Sequence, residues 1–153
     1  MVISANEQTD EYARYATVLS DDPSVSGWQG PLAGVLTALE HIQTPWLLCL
    51  PVDCPFLPEL LVPELLKASA GQQSVQAFYA RAERAHPLCL LLHQDLAANL
   101  RLFLNSGERR VQGWLQQAGA QAVEFGVHTE PLFSNINTPE QWREAQALFV
   151  KTP

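Results

Sequence analysis

Asp53 stands in the segment Pro51-Val-Asp53-Cys-Pro55, directly behind the continuous apolar run Trp46–Leu50. Ligands of open α/β sheets bind beyond the carboxyl ends of the strands, so a carboxylate just past a buried strand is well placed for chemistry. It could hold Mg²⁺, which keeps several waters and takes further ligands from substrate phosphates, so that one protein carboxylate suffices for a nucleoside triphosphate. A turn-forming or capping aspartate accounts for the position equally well. A second candidate is Gly30-Pro31-Leu32-Ala33-Gly34. A loop that passes through glycine into a helix lets backbone approach a ligand at the positive end of that helix. The alternative is an ordinary proline-started helix whose Gly34 packs closely on a sheet.

Weaker signals lie around these two. Asp21 and Asp22 follow a short β-branched stretch, where an acidic residue can accept hydrogen bonds from ribose hydroxyls or simply shape a solvated turn. Arg109 and Arg110 have planar guanidinium groups suited to phosphate, and they also suit the exposed first turn of a helix. His86, before Pro87, reads as a ligand contact or as a structural loop histidine. Asn135 and Asn137, in Asn-Ile-Asn-Thr-Pro, could bond a heterocycle edge or order the turn before a last helix. No Gly-x-Ser-x-Gly elbow occurs, so hydrolase readings lose.

Composition bounds what these residues can belong to. The 153 residues are 47% hydrophobic and 16% charged, enough for one domain with a real core. A net charge of −7 argues against sequence-independent nucleic-acid binding, which needs a basic face. That charge is uneven: Met1–Glu64 holds nine acidic residues against Arg14 alone, which suggests that a cation or a basic segment belongs with this half. No apolar run is long enough to span a membrane, and Met1–Ala5 does not open a signal peptide. Cys49, Cys54 and Cys89 form no CxxC pair, so reduced thiols in a cytoplasmic protein are expected.

The elements that must position the candidates follow from periodicity. Val2–Ser4 and Ala16–Leu19 read as strands around a polar helical turn or two in Glu7–Arg14. Ser20–Gln29 has loop composition, and Leu32, Val35, Leu36, Leu39 and Ile42 mark the buried face of a helix started by Pro31. Trp46–Leu50, without alternation, suits a strand covered on both faces. A helix over about 58–70, strands at Ser74–Tyr79 and Leu88–Leu92, and a helix from Asp95 to about Leu104 follow. Then come a helix over Arg109–Gln117, a strand at Ala122–Phe125, a last short strand at Phe133–Ile136, and a helix to about Val150 begun by Thr138-Pro139 with Gln141. The alternation predicts a single α/β domain over residues 1–153, with a mostly parallel sheet and helices on both faces.

In order along the chain, VISAN, the Asp-Asp loop, GPLAG, LPVDCPFLP, His-Pro, GERRV and NINTPE resemble the molybdenum cofactor guanylyltransferase family from Met1 to about Glu144. The resemblance implies a Rossmann-like nucleotidyltransferase fold. It also implies transfer of GMP from GTP to the terminal phosphate of Mo-molybdopterin, with release of pyrophosphate. It casts Asp53 as the catalytic Mg²⁺ ligand and a GTP contact. Asp22 becomes the nucleoside-contacting aspartate, with Asp21 one register away, and Gly30, Pro31 and Gly34 lie beside the nucleotide. His86, Arg109, Arg110, Asn135 and Asn137 fall on the molybdopterin side. Implied partners are molybdenum-insertion proteins and molybdoenzyme chaperones in the cytoplasm, with no nucleic acid and no membrane.

The sequence also departs from that pattern. The strand, glycine-rich LAGG loop, Arg-Met-Gly segment and Asp-Lys pair that open such enzymes are not found in it, and Met1 falls where the second strand is expected. One β–loop–α unit of roughly 30 residues is therefore expected to be missing. Ser4 stands where a nucleoside-contacting asparagine is expected. These departures predict little guanylyltransferase activity for the 153 residues alone. They leave two alternatives: a non-catalytic module binding molybdopterin or a partner, and a sister molybdopterin cytidylyltransferase.

Overall fold

A computed structural model describes residues 1–21 and 30–149. The chain opens with β1 (Val2–Ser4), α1 (Thr9–Tyr12) and β2 (Thr17–Leu19), then α2 (Pro31–His41), β3 (Trp46–Cys49) and α3 (Leu61–Gly71). It continues with β4 (Ala77–Arg81), β5 (Ala85–His93), α4 (Leu96–Asn105), α5 (Val111–Gln117) and β6 (Gln121–Glu124). A 3₁₀ turn over Val127–Phe133 and α6 (Pro139–Phe149) complete it. The α/β class and the helices on both faces stand as the sequence predicts.

The strands form two sheets, β1-β2 and β3-β5-β4-β6. β1 and β2 are parallel, as are β4 and β6, but β5 runs antiparallel to both β3 and β4. The second sheet is thus mixed rather than mostly parallel. The cause is local: only Ala82–Arg84 separates β4 from β5, far too short for the crossover that parallel neighbours need. Ala82 N–H closes this hairpin on Arg84 O at 3.0 Å. Helix α2 packs on β1, β2 and β3, so one helix spans both sheets.

Period-two alternation divides the central strands between two cores. Leu47, Ala77, Leu90 and Leu92 face one core with α2, α4 and α5; Phe78, Ala80, Cys89 and Leu91 face the other with Leu61 and Leu65 of α3 and Phe133. That two-sided burial is why Trp46–Leu50 and Leu88–Leu92 read as unbroken apolar runs. Trp114 is the largest fully buried side chain, and its Nε1 donates to Asn99 Oδ1 at 2.9 Å. Arg101 on α4 grips Glu40 on α2 through Nε and Nη2, with contacts of 2.5–2.9 Å.

Two boundaries differ in kind from the expectation. Phe133–Ile136 is not a strand: Phe133 ends the 3₁₀ turn, and Ile136 makes a single backbone bond, to Asp53 O at 2.7 Å. β5 begins at Ala85, three residues early, because Ala85 and His86 extend the hairpin by pairing with Arg81 and Ala80. The start of α6 matches its sequence signature, with Gln141 N–H on Thr138 Oγ1 and Thr138 N–H on Gln141 Oε1.

Replacing Trp114 by Ala is expected to cost about 3–5 kcal/mol, since a filled site becomes a cavity and Asn99 loses its donor. Denaturant unfolding of the variant checks this, and a loss below about 1 kcal/mol contradicts the packing described.

Candidate functional site

Chain direction brings the candidates to the carboxyl ends of the strands. The start of α2 lies beside the carboxyl ends of β1 and β2, where Gly30, Pro31 and Gly34 share a cavity with Ser4, Ala5, Asn6 and Asp21. β5 opposes β3 and β4, which puts its first residues, Ala85 and His86, beside the carboxyl ends of β3, β4 and β6. Asp53 and His86 therefore share the carboxyl edge of β3 and β4, and the start of α2 takes the carboxyl edge of the first sheet, in each case the side where α/β sheets bind ligands.

The first cluster surrounds the start of α2. Ser4, Ala5, Asn6, Asp21, Gly30, Pro31 and Gly34 line a cavity of about 400 Å³, within the range of nucleotide-sized sites. Gly30 has φ 120°, open to glycine and hostile to other residues, and it turns the chain into the helix. Gly34 permits close approach: a Cβ there would overlap Ser4 Oγ and stand 3.1 Å from Ser4 Cβ. Asp21 and Asn6 pair twice, Asn6 Nδ2 donating to Asp21 Oδ2 at 2.9 Å and Asp21 N–H to Asn6 Oδ1 at 2.9 Å. Sequence reasoning singled out Ser4 and passed over Asn6, although both follow the same strand. Asp22 lies outside the described residues.

The second cluster surrounds Asp53. Asn135 Nδ2 donates to Asp53 Oδ2 at 2.7 Å, and Asn135 Oδ1 accepts from the buried Cys54 thiol at 3.2 Å. Asp53 Oδ1 accepts only a long, weak contact from the Cys54 thiol at 3.8 Å, so this oxygen keeps room for a cation. A half-buried carboxylate with one oxygen anchored and one open fits Mg²⁺ held largely by water and phosphate. No group of three or more His, Cys, Asp or Glu with metal-binding geometry exists among the described residues, so a closed all-protein metal cage does not fit. Burial pushes the Cys54 thiol up to about 11, helped by the Asp53 charge and hydrogen bond, against a lowering pull from Arg84.

His86 belongs to a third group joined to the second through Phe133. Its ring stacks on Phe133 at 4.1 Å with 11° between planes, and its Nε2 meets Glu130 Oε2 at 3.0 Å. Glu130 also accepts from the backbone N–H of Glu83 and Arg84 and from Arg84 Nε. Pairing of β4 with β5 shifts register between Tyr79 and Ala80, next to Pro87, which has no N–H to give the ladder. This irregularity aims His86 inward. Glu130 was not a sequence candidate, and a lone acid in a loop carries no signal that could have found it. Partial burial raises its pKa, but bonds and charge from His86 and Arg84 outweigh that and hold it below the ordinary carboxylate value.

The remaining candidates lie further out. Arg109 Nη1 donates to Leu104 O and Glu108 O, closing the α4–α5 turn. Arg110 is exposed at the start of α5, and Gln112 two residues on shares a cavity of about 270 Å³ with Pro87, so α5 begins near His86. Asn137 donates its backbone N–H to Gln141 Oε1 at 2.7 Å. Trp142 stacks on Phe56 at 5.8 Å, outside the main core.

An α/β fold with a glycine-walled cavity and an oriented carboxylate beyond the carboxyl ends of its strands has the layout of a nucleotide-binding protein. The chain belongs to the family of the MobA-like NTP transferase domain, whose profile matches residues 1–122. It is 40% identical over 152 residues to the molybdenum cofactor guanylyltransferase of Shewanella frigidimarina, covering 99% of this chain and 76% of that protein. The Pasteurella multocida protein of the same name is 41% identical over 138 residues, covering 90% and 71%. Among solved structures, molybdopterin-guanine dinucleotide biosynthesis protein A from Archaeoglobus fulgidus shares the fold with a TM-score of 0.73 at 21% identity, covering 99% of this chain and 79% of its own. The Rossmann-like nucleotidyltransferase fold is thereby established.

Two predictions follow from this geometry. Gly34→Ala is expected to destabilise the protein by about 1–3 kcal/mol, and adding Ser4→Gly should recover most of that loss in a double-mutant cycle. Additive effects would show that the α2–β1 approach is not the constraint. Glu130→Gln is expected to cost about 1–2 kcal/mol at pH 7. A depressed carboxylate stabilises above its unfolded pKa and loses that contribution as pH falls through its folded value. The gap between variant and parent should therefore narrow below pH 4.5, the ordinary value, in urea titrations; a constant gap contradicts the assignment.

Proposed function

We propose that this chain acts as a molybdenum cofactor guanylyltransferase, moving GMP from GTP onto Mo-molybdopterin. The observation that carries the reading is the 40% identity over 152 residues to a protein of that name, a span that takes in both the Gly34 cavity and the Asp53 cluster. Residues 1–153 form one nucleotidyltransferase domain in this reading. Asp22, Gly30, Pro31, Gly34 and Asp53 serve GTP, and His86, Arg109, Arg110, Asn135 and Asn137 serve molybdopterin.

In the reaction, an oxygen of the pterin's terminal phosphate attacks the α-phosphorus of GTP. A new P–O bond forms, the α–β bridge breaks, and pyrophosphate leaves with the electron pair. Such transfer depends on positioning and charge stabilisation, so no acid/base dyad is needed. When bound, Mg²⁺ offsets charge that builds on the phosphates. Asp53 would hold it through the oxygen that Asn135 leaves open, and at the α2 N-terminus, where Pro31 has no N–H and Ala33 N–H bonds Gly30 O, the Leu32 N–H would meet a phosphate or ribose. Arg110, exposed and without an ion pair among the described residues, is the guanidinium best placed to meet a pterin phosphate. Arg109, already closing a turn, supports it.

The three cysteines are all free, which fits the reducing cytoplasm. No helix among the described residues is long and apolar enough to cross a membrane. Receipt of Mo-molybdopterin from molybdenum-insertion proteins, and hand-off of the finished dinucleotide cofactor to molybdoenzyme chaperones, complete the proposal.

Asp53→Asn is expected to lower GMP transfer to Mo-molybdopterin by about 10²–10³-fold, because an amide cannot supply the charge that holds the cation. GMP incorporation with the full-length gene product checks this; a parent-like rate would sink the assignment. CTP in place of GTP should support little transfer, and equal use of both would favour the cytidylyltransferase alternative. A polypeptide confined to these 153 residues contains no lysine-bearing, glycine-rich phosphate loop, so we further propose that it turns over slowly by itself.

A further inference from the structure

Cys54 is 6% exposed and occupies the centre of the Asp53 cluster. Its sulfur lies 3.2 Å from Asn135 Oδ1 and 3.5 Å from Phe133 O. Asn135 in turn places Nδ2 2.7 Å from Asp53 Oδ2. An asparagine side chain has one accepting end and one donating end, and only one of its two orientations works here. With the amide turned over, its oxygen would face a carboxylate oxygen at 2.7 Å, acceptor against acceptor. A thiol carries a single proton to give, and the amide oxygen is the nearest of its three acceptors, ahead of Phe133 O at 3.5 Å and Asp53 Oδ1 at 3.8 Å. The bonds therefore run in one direction, from S–H to amide oxygen and from amide N–H to carboxylate.

We propose that Cys54 is a positioning residue whose S–H fixes the Asn135 amide so that Nδ2 anchors Asp53 Oδ2 and Asp53 Oδ1 stays open for the cation. The cation half of this proposal rests on the reading of Asp53 as the metal ligand. Backbone reinforces the arrangement, because Ile136 N–H bonds Asp53 O at 2.7 Å and sets the two segments in register. The thiol adds what backbone cannot: it gives the amide oxygen a donor and so holds the end of Asn135 that the carboxylate leaves free. A cysteine filling space would need no acceptor at hydrogen-bond distance; this one has two, in a segment 79 and 81 residues away.

The test compares Cys54→Ala, which keeps an apolar group and removes the donor, with Cys54→Ser, which keeps an O–H donor. Mn²⁺ binding, followed by loss of the free-ion electron paramagnetic signal in the presence of GTP, reads the metal site without turnover. Cys54→Ala is expected to weaken Mn²⁺ binding about tenfold, the lower end of the range for partners that orient a metal ligand, with Cys54→Ser within about threefold of the parent. The Asn135 side-chain amide resonances, followed by nitrogen-15 NMR, should exchange faster and shift in Cys54→Ala and return toward parent values in Cys54→Ser. Parent-like Mn²⁺ binding and unchanged Asn135 resonances in Cys54→Ala would overturn the proposal, as would a serine variant no better than alanine. Asp53→Asn is the control for the underlying reading. If it binds Mn²⁺ as the parent does, the cation half falls, and the Asn135 resonances alone decide whether Cys54 sets the amide.

Discussion

The contact between Asp53 and the segment Asn135–Ile136 ties the middle of the chain to its last quarter. Two bonds of 2.7 Å make it, one through the backbone of Asp53 and one through its carboxylate. Residues so far apart in sequence must lose considerable loop entropy to meet, so the contact needs support from both sides. On one side Asp53 follows β3, whose position is set by pairing with β5. On the other, Phe133 is buried in the core beneath β4 and β5 and precedes Asn135 by two residues. Burial of one aromatic ring thus delivers the amide that orients the carboxylate. The same ring carries the His86 stack, so the acidic and the His86 groups move together if Phe133 moves.

A second constraint acts at the start of α2. There the absence of a side chain at Gly34 lets the helix lie against the end of β1, and the φ of Gly30 turns the chain to meet it. Without that approach the cavity between Ser4, Asn6 and the helix N-terminus would change shape. Since α2 also packs on β3, a shift at Gly34 would reach the strand that places Asp53. The two halves of the candidate site are therefore coupled through one helix rather than through a shared side chain.

How much of this the sequence disclosed depends on the range of the interaction. Signals within four or five residues were readable: the proline start of α2, the capping pair Thr138 and Gln141, and the unbroken run of β3 that marks two-sided burial. Asp53 could be placed because strand ends are themselves local. Strand direction was not readable, since the shortness of Ala82–Arg84 emerges only once β5 is seen to begin at Ala85 rather than at Leu88. Phe133–Ile136 looked like a strand because Phe and Ile are strand-favouring residue types. In fact Phe133 is held by stacking and Ile136 by one backbone bond. Glu130, Asn6 and the Cys54–Asn135 pairing stayed hidden for a further reason. A polar side chain that serves a partner across the fold has no local pattern.

The uneven charge of the chain takes on a physical meaning at these contacts. Glu40 is matched by Arg101, Glu64 by Lys67 and Glu130 by Arg84, so those carboxylates are largely neutralised where they stand. Asp21 and Asp53 are treated differently. Each is held by an asparagine, and neither has a basic side chain in ion-pair range among the described residues. An amide donor orients a carboxylate without cancelling its charge, whereas a guanidinium does both. The two acids of the carboxyl edge are thus fixed in direction and left negative, in a stretch whose only basic residue before Lys67 is Arg14. That state favours a divalent cation at Asp53 and hydroxyl donors at Asp21. It would be lost if either asparagine were exchanged for a lysine or arginine, even one that kept the hydrogen bond.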